Sequence, residues 1–310
     1  NHLAEGLGWI KKLQAPGASI PTPVLAQAYL TAGFLACWLG DFASAPPYLE
    51  TSLNLTQKKG VNDPAALDNY LGALIAAQKL DNVTAVASKY IDGPLAPVAY
   101  WNIAAVQAKL NQPDKAAESF TRAIEKTGDN PSSLLATLSA MERVLGAANV
   151  ESWCTQKLAA NPKFVPAHLM LVNLAEKAEA YNKALTHIDQ CLENAPQNSM
   201  QWLEFSNRKA NILMQAYAKT ADANYLKQAM AQLEANLKLR PNDETMMNNI
   251  AYLMADNDIE LDKAVSYARR AHQKLPGNAV FLDTYAYALC KSGEYAQAET
   301  YMRQVIASYE

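Results

Sequence analysis

The chain has 310 residues, half of them hydrophobic, with a formal charge of −3. That is ample for a stable core, and no basic stripe stands out, so nucleic acid is not expected as a ligand. The four cysteines lie far apart without a CxxC pair and suggest no disulfide scaffold. No apolar run approaches the roughly 20 residues that cross a bilayer.

Residues 2–13 (HLAEGLGWIKKL) read as a short amphipathic helix, a cap within an N-terminal segment 1–23, and residues 17–23 read as a break. Beyond it, prolines close apolar helical runs at Pro131, Pro162, Pro196, Pro241 and Pro276, spaced by 31, 34, 45 and 35 residues. A long period of this kind is sought before any single element. It divides the chain into helix–turn–helix units at 24–59, 64–91, 97–130, 131–162, 165–198, 199–241, 244–276 and 279–310. The spacing of 45 implies an insertion, placed as a loop at 219–225.

The first unit carries Tyr29, Ala32, Gly33 and Ala36, a turn LGDF at 39–42, then Ala45 and Leu49. Pro46 and Pro47 fall early in its second helix, where first-turn amides have no partner to lose. The second unit sets Leu71, Gly72 and Ile75 against Ala85 across a turn LDNV at 80–83, and DGPLAP at 92–97 interrupts the series. The third places Ile103 and Ala104 against Ala116, Phe120 and Ala123; the fourth is degenerate, with Leu134 and Leu138 before Val150 and Cys154. The fifth pairs Leu171 and Val172 with Ala184, Ile188 and Cys191, and the sixth pairs Phe205 and Ser206 with Ala229 and Leu233. The seventh holds Ile250, Ala251, Ala264, Ala268 and Ala271. In the eighth, Ala286 and Ala298 sit where two helices touch and Gly293 lies in the turn. Tyr285, Leu289, Tyr295 and Met302 supply bulk around them. Each cysteine falls inside a helical pattern at a position that suits a small buried residue.

Signs of chemistry are sparse. His187 and Cys191 share a helix face one turn apart, near Asp189 and with His168 as a further candidate, yet Cys191 falls on a core position, and ordinary packing is the expected reading. Asp256, Asp258, Glu260 and Asp262 lack the glycine and terminal glutamate of a calcium loop, so a solvated turn with Asp262 as helix cap is expected. No GxSxG and no phosphate-binding GxxxxGK[ST] occurs. No catalytic residue, metal ligand or cofactor is therefore expected.

Residues 248–310 carry the period most clearly, and on them the chain resembles the tetratricopeptide repeat family, whose unit is about 34 residues. The resemblance implies an all-α, right-handed superhelical solenoid of about eight repeats, since each helix pair is apolar on two sides and buries both only by stacking. It also implies a concave face lined by fixed positions of each first helix. Here those are Leu30, Phe34 and Trp38; Trp101 and Lys109; Ser139, Glu142 and Arg143; Asn173, Glu176 and Lys177; Leu203, Asn207 and Asn211; Asn248, Tyr252 and Asp256; Asp283, Tyr287 and Lys291. Trp38 and Trp101 stand out as groove aromatics that would suit peptide binding. Asn173 and Asn207 occupy equivalent positions in adjacent repeats, where amides pair with the backbone of an extended peptide. Leu169 and Leu203 stand where members that clamp a terminal carboxylate carry lysine, so that grip is not expected.

The expected function is a non-catalytic scaffold that binds a peptide or helix of a partner protein in the concave groove. The alternatives are a spacer or self-association module of a larger envelope or exopolysaccharide-export protein, and the substrate-reading arm of a larger transferase. A chain that starts at Asn1 without methionine and stops inside an apolar-patterned helix is expected to be a piece of something longer. The compartment, cytoplasmic or periplasmic, is not legible.

Overall fold

The computed structural model describes residues 21–128 and 130–308, and the chain divides into two compact units, residues 1–156 and 157–310. The helix expected at 2–13 lies outside the described residues. The first unit contains α1 (Thr22–Trp38), α2 (Ala45–Gln57), α3 (Pro64–Ala76), α4 (Leu80–Ala87, continued by a 3₁₀ turn at Ser88–Tyr90), α5 (Ala96–Lys109), α6 (Pro113–Glu125) and α7 (Pro131–Leu145). The unit boundary falls within α8 (Ala147–Ala160). The second unit contains α9 (Val165–Lys177), α10 (Tyr181–Asn194), α11 (Met200–Thr220), α12 (Ala223–Leu239), α13 (Glu244–Asp256), α14 (Leu261–Lys274), α15 (Ala279–Lys291) and α16 (Tyr295–Ala307). All described regular structure is helical, and none of these helices is long and apolar enough to cross a membrane.

Six of the described helices start where the sequence supplies a side-chain acceptor. Asp63, Asn130, Ser199, Asp222, Asp243 and Asn278 each accept a backbone N–H of the helix that follows. Pro64 and Pro131 come directly after two of these caps, where a missing amide costs nothing. The ends of the first helices share a different device. Gly40, Gln78, Asn111, Glu179, Asp258 and Gly293 all have positive φ, from 53° at Glu179 to 88° at Gly293. At each of these turns the next amide reaches back to a carbonyl five residues earlier: Asp41 to Ala36, Lys79 to Leu74, Gln112 to Gln107, Ala180 to Ala175, Ile259 to Met254 and Glu294 to Leu289, all at 2.8–2.9 Å. The left-handed residue folds the chain back and satisfies orphan carbonyls, so the following helix returns antiparallel.

Paired helices then bury small residues. Ala32, Ala45 and Leu49 close α1 on α2; Ala104, Ala116 and Phe120 close α5 on α6. In the second unit a continuous cluster runs through Ala210, Leu233, Ile250, Ala251, Ala264, Tyr285, Leu289 and Ala298, so each core joins neighbouring pairs.

Several expectations change. The turn expected at LDNV is displaced: the left-handed residue is Gln78, and Leu80 already begins α4. Gly72 and Ala85 do not meet across that pair, because both are exposed, and Leu67, Leu71, Val83 and Ala87 are buried instead. The loop expected at 219–225 shrinks to Ala221 and Asp222, and the extra residues lengthen α11 to 21 and α12 to 17. No glycine or proline interrupts either helix, and helical continuation satisfies the amides a loop would leave open. Asp262 lies in the first turn of α14, where its charge suits the helix dipole, while Glu260 occupies the cap position. Tyr295 is 69% exposed and supplies no core bulk. Cys154 and Cys191 are buried, but Cys37 is half-buried and Cys290 exposed.

Candidate functional site

In the first unit, α1, α3, α5 and α7 bring side chains around one open cavity of about 370 Å³. Gly72, Ala73, Ile75, Ala76, Ala105 and Val144 make its apolar walls, with Phe34 and Arg143 at exposed positions. Small residues at Gly72, Ala76 and Ala105 leave the space that bulkier ones would fill. Trp101 lines the cavity but is buried: its Nε1 donates to Asp68 Oδ1 at 2.7 Å, and Asn102 Nδ2 donates to the same oxygen at 2.8 Å. Trp101 thus forms a fixed, buried wall of the cavity held by the preceding repeat. Trp38 is 84% exposed at the end of α1. Lys109 and Arg143, in the last turns of α5 and α7, are exposed and make no side-chain ion pair or hydrogen bond among the described residues.

In the second unit the expected positions are tied to one another. Asn173 Oδ1 accepts from Arg208, which also pairs with Glu176. Asn207 Oδ1 accepts from Asn236 Nδ2 at 2.8 Å. Asn236 is fully buried and accepts in turn from Ser206 and Gln232. Both carbonyl oxygens of the expected amide row are therefore engaged within the protein. Asn211 and Lys177 are exposed, and Asn248 is buried with its Oδ1 lacking a partner. Tyr252 and Tyr287 approach with ring centroids 6.0 Å apart, the Tyr287 hydroxyl donates to Asp256 at 3.0 Å, and Lys291 pairs with Asp258 at 2.8 Å. Burial, then the Asp256 carboxylate, raises the Tyr287 pKa. Asp68, Arg208 and Asn236 were missed by sequence reasoning; Asp68 and Arg208 act on a neighbouring repeat and Asn236 on the first helix of its own, and no local pattern marks them.

His168 is buried, with Nε2 2.8 Å from the Pro162 carbonyl oxygen and Nδ1 3.1 Å from His187 Nδ1. The arrangement is met if His168 donates to the carbonyl and accepts the proton of His187. Cys191 is buried in a core with Val172, Ala184, Ile188 and Phe205. Among the described residues no three His, Cys, Asp or Glu side chains converge as a metal site.

These helix pairs, closed by one recurring turn and stacked core to core, define a helical repeat protein. No family model matches the chain. A TPR repeat-containing protein of Pseudomonas aeruginosa is 24% identical over 170 residues, 47% of this chain and 29% of that relative, so the match spans less than a third of the relative's length. Among solved structures, YrrB, described as a TPR protein with an unusual peptide-binding site, is 18% identical with a TM-score of 0.47, over 62% of this chain and 93% of its own. PilF of Pseudomonas aeruginosa is 14% identical with a TM-score of 0.37, over 93% of both chains. Over these 170 residues the chain is similar to a tetratricopeptide repeat protein.

Proposed function

We propose that this chain is a non-catalytic protein-interaction scaffold and that a partner segment lies in the cavity between α1, α3, α5 and α7. The observation that carries the reading is the cavity itself: four first helices contribute, the walls are mostly apolar, and its volume falls in the range of about 300–1,000 Å³ common to binding sites. Exposed Phe34 and Trp38 add the apolar and aromatic surface that partner anchors use. The Asp68–Trp101–Asn102 bonds hold one wall in place before a ligand arrives, which lowers the cost of ordering on binding.

Gly72 supplies the test. A Cβ added there meets nothing within 4 Å, and its φ is not in the left-handed range. Gly72→Leu therefore fills the cavity while improving the propensity of α3. The parent and this variant serve as baits in a lysate of the native cell. A partner retained by the parent and lost by a normally folded variant supports the groove. Equal retention by both moves the site to another face, and recovery of the chain alone favours self-association.

A further inference from the structure

The cavity's charge is as specific as its shape. Its lining holds one carboxylate, Asp68, whose Oδ1 is already occupied by Trp101 and Asn102. Against it stand two unengaged cations. Arg143 lines the cavity, and Lys109 lies one helical turn beyond the lining residue Ala105 on the same face of α5. Glu142, the acid beside Arg143 in sequence, already has an interaction of its own. At another of the expected groove positions the cation is paired: Lys291 lies 2.8 Å from Asp258. Lys109 and Arg143 are left without a counterpart beside an apolar hollow. The hollow asks for a bulky apolar side chain, and the two cations ask for carboxylates flanking it.

From this we infer that the occupant of the first unit's groove is an acidic protein segment carrying a bulky apolar residue, with its Asp or Glu side chains directed at Arg143 and Lys109. The inference rests on the groove reading and adds the partner's chemistry to it. Arg143, with its planar fork, gives a bidentate carboxylate contact that fixes register, while Lys109 contributes a point charge. Because both cations are exposed, the attraction acts mainly on encounter and specificity and is screened by salt.

Two immobilised peptide libraries test it. Both fix Phe or Leu at the centre; one offers Asp and Glu at the flanks, the other Lys and Arg. The full chain is expected to select the acidic library, and added salt to weaken that selection. The double variant K109E/R143E is expected to bind acidic peptides about tenfold less tightly or worse, and to gain affinity for the basic library. A merely structural role for the two cations would not invert the preference. Equal binding of both libraries by the parent, no binding of either, or acidic binding unchanged in K109E/R143E overturns the assignment. Gly72→Leu separates the two levels. If it abolishes binding that is insensitive to charge, the groove stands and the acidic partner falls; if peptides bind Gly72→Leu as well as the parent, the groove reading itself falls.

Discussion

Four cysteines with one covalent chemistry sit in three environments. Burial pushes the Cys154 thiol up from 9.0 to about 12 and does the same to Cys191, where nearby Arg208 opposes the shift without reversing it. Cys37 is half-buried and also raised by burial, whereas Cys290 is exposed. The thiolate is the reactive form, so both access and ionisation protect the buried pair. In native protein at about pH 8, iodoacetamide should label Cys290 first, Cys37 slowly, and Cys154 and Cys191 only after denaturation. Peptide mass mapping against time checks this, and Cys191 labelling as fast as Cys290 would remove it from the core. The same shifts fix a sign. An unfolded thiol loses its proton near 9.0 while the folded one keeps it to about 12, so the unfolded state binds fewer protons in between. Stability from this source is intact below pH 9 and falls as the pH rises toward 12.

At the level of helix pairs, two glycines of the same sequence class behave oppositely. Gly33 in α1 faces Leu49 of α2, and a Cβ there would land inside the Leu49 side chain, which is 2% exposed and hemmed in. Gly33→Ala should therefore cost about 1–3 kcal/mol by overpacking, outweighing the roughly 1 kcal/mol that alanine gains in a helix. Denaturant unfolding measures it; a midpoint equal to or above the parent's would mean Leu49 has room to move. Gly72 in α3 faces open space. Both glycines read as small residues at a crossing, and only Gly33 is one. The difference was illegible because it depends on where the turn falls. In the first repeat Gly40 announces the left-handed position, whereas in the second repeat that position is Gln78, which carries no turn signal. Periodicity placed most of the helices, since apolar spacing and caps are local properties. Helix length in α11 and α12 was not legible, because a 45-residue spacing fits a loop or a continuation equally well. The partners of Trp101 and Asn173 come from neighbouring repeats and that of Asn207 from the second helix of its own repeat, and none carries a signature nearby.

For the chain as a whole, repeats that contact chiefly their sequence neighbours should make stability local. The buried network of the second unit offers the cleanest probe. Asn236 Oδ1 accepts from Ser206 and Gln232, and its Nδ2 donates to Asn207 at 2.8 Å, linking α11 to α12 with every member in bond distance. Asn236→Ala leaves fully buried Ser206 without its acceptor and Asn207 without its donor, at a cost of about 1–3 kcal/mol. If that cost were shared by one cooperative body, amide protection would fall everywhere. A repeat stack predicts otherwise: hydrogen exchange should quicken in α11 and α12, then in the α13 and α14 pair that shares their core, and stay at the parent's rate in α1 to α6. A uniform loss of protection through both units would show that the chain unfolds as one body, and the nearest-neighbour account would have to be given up.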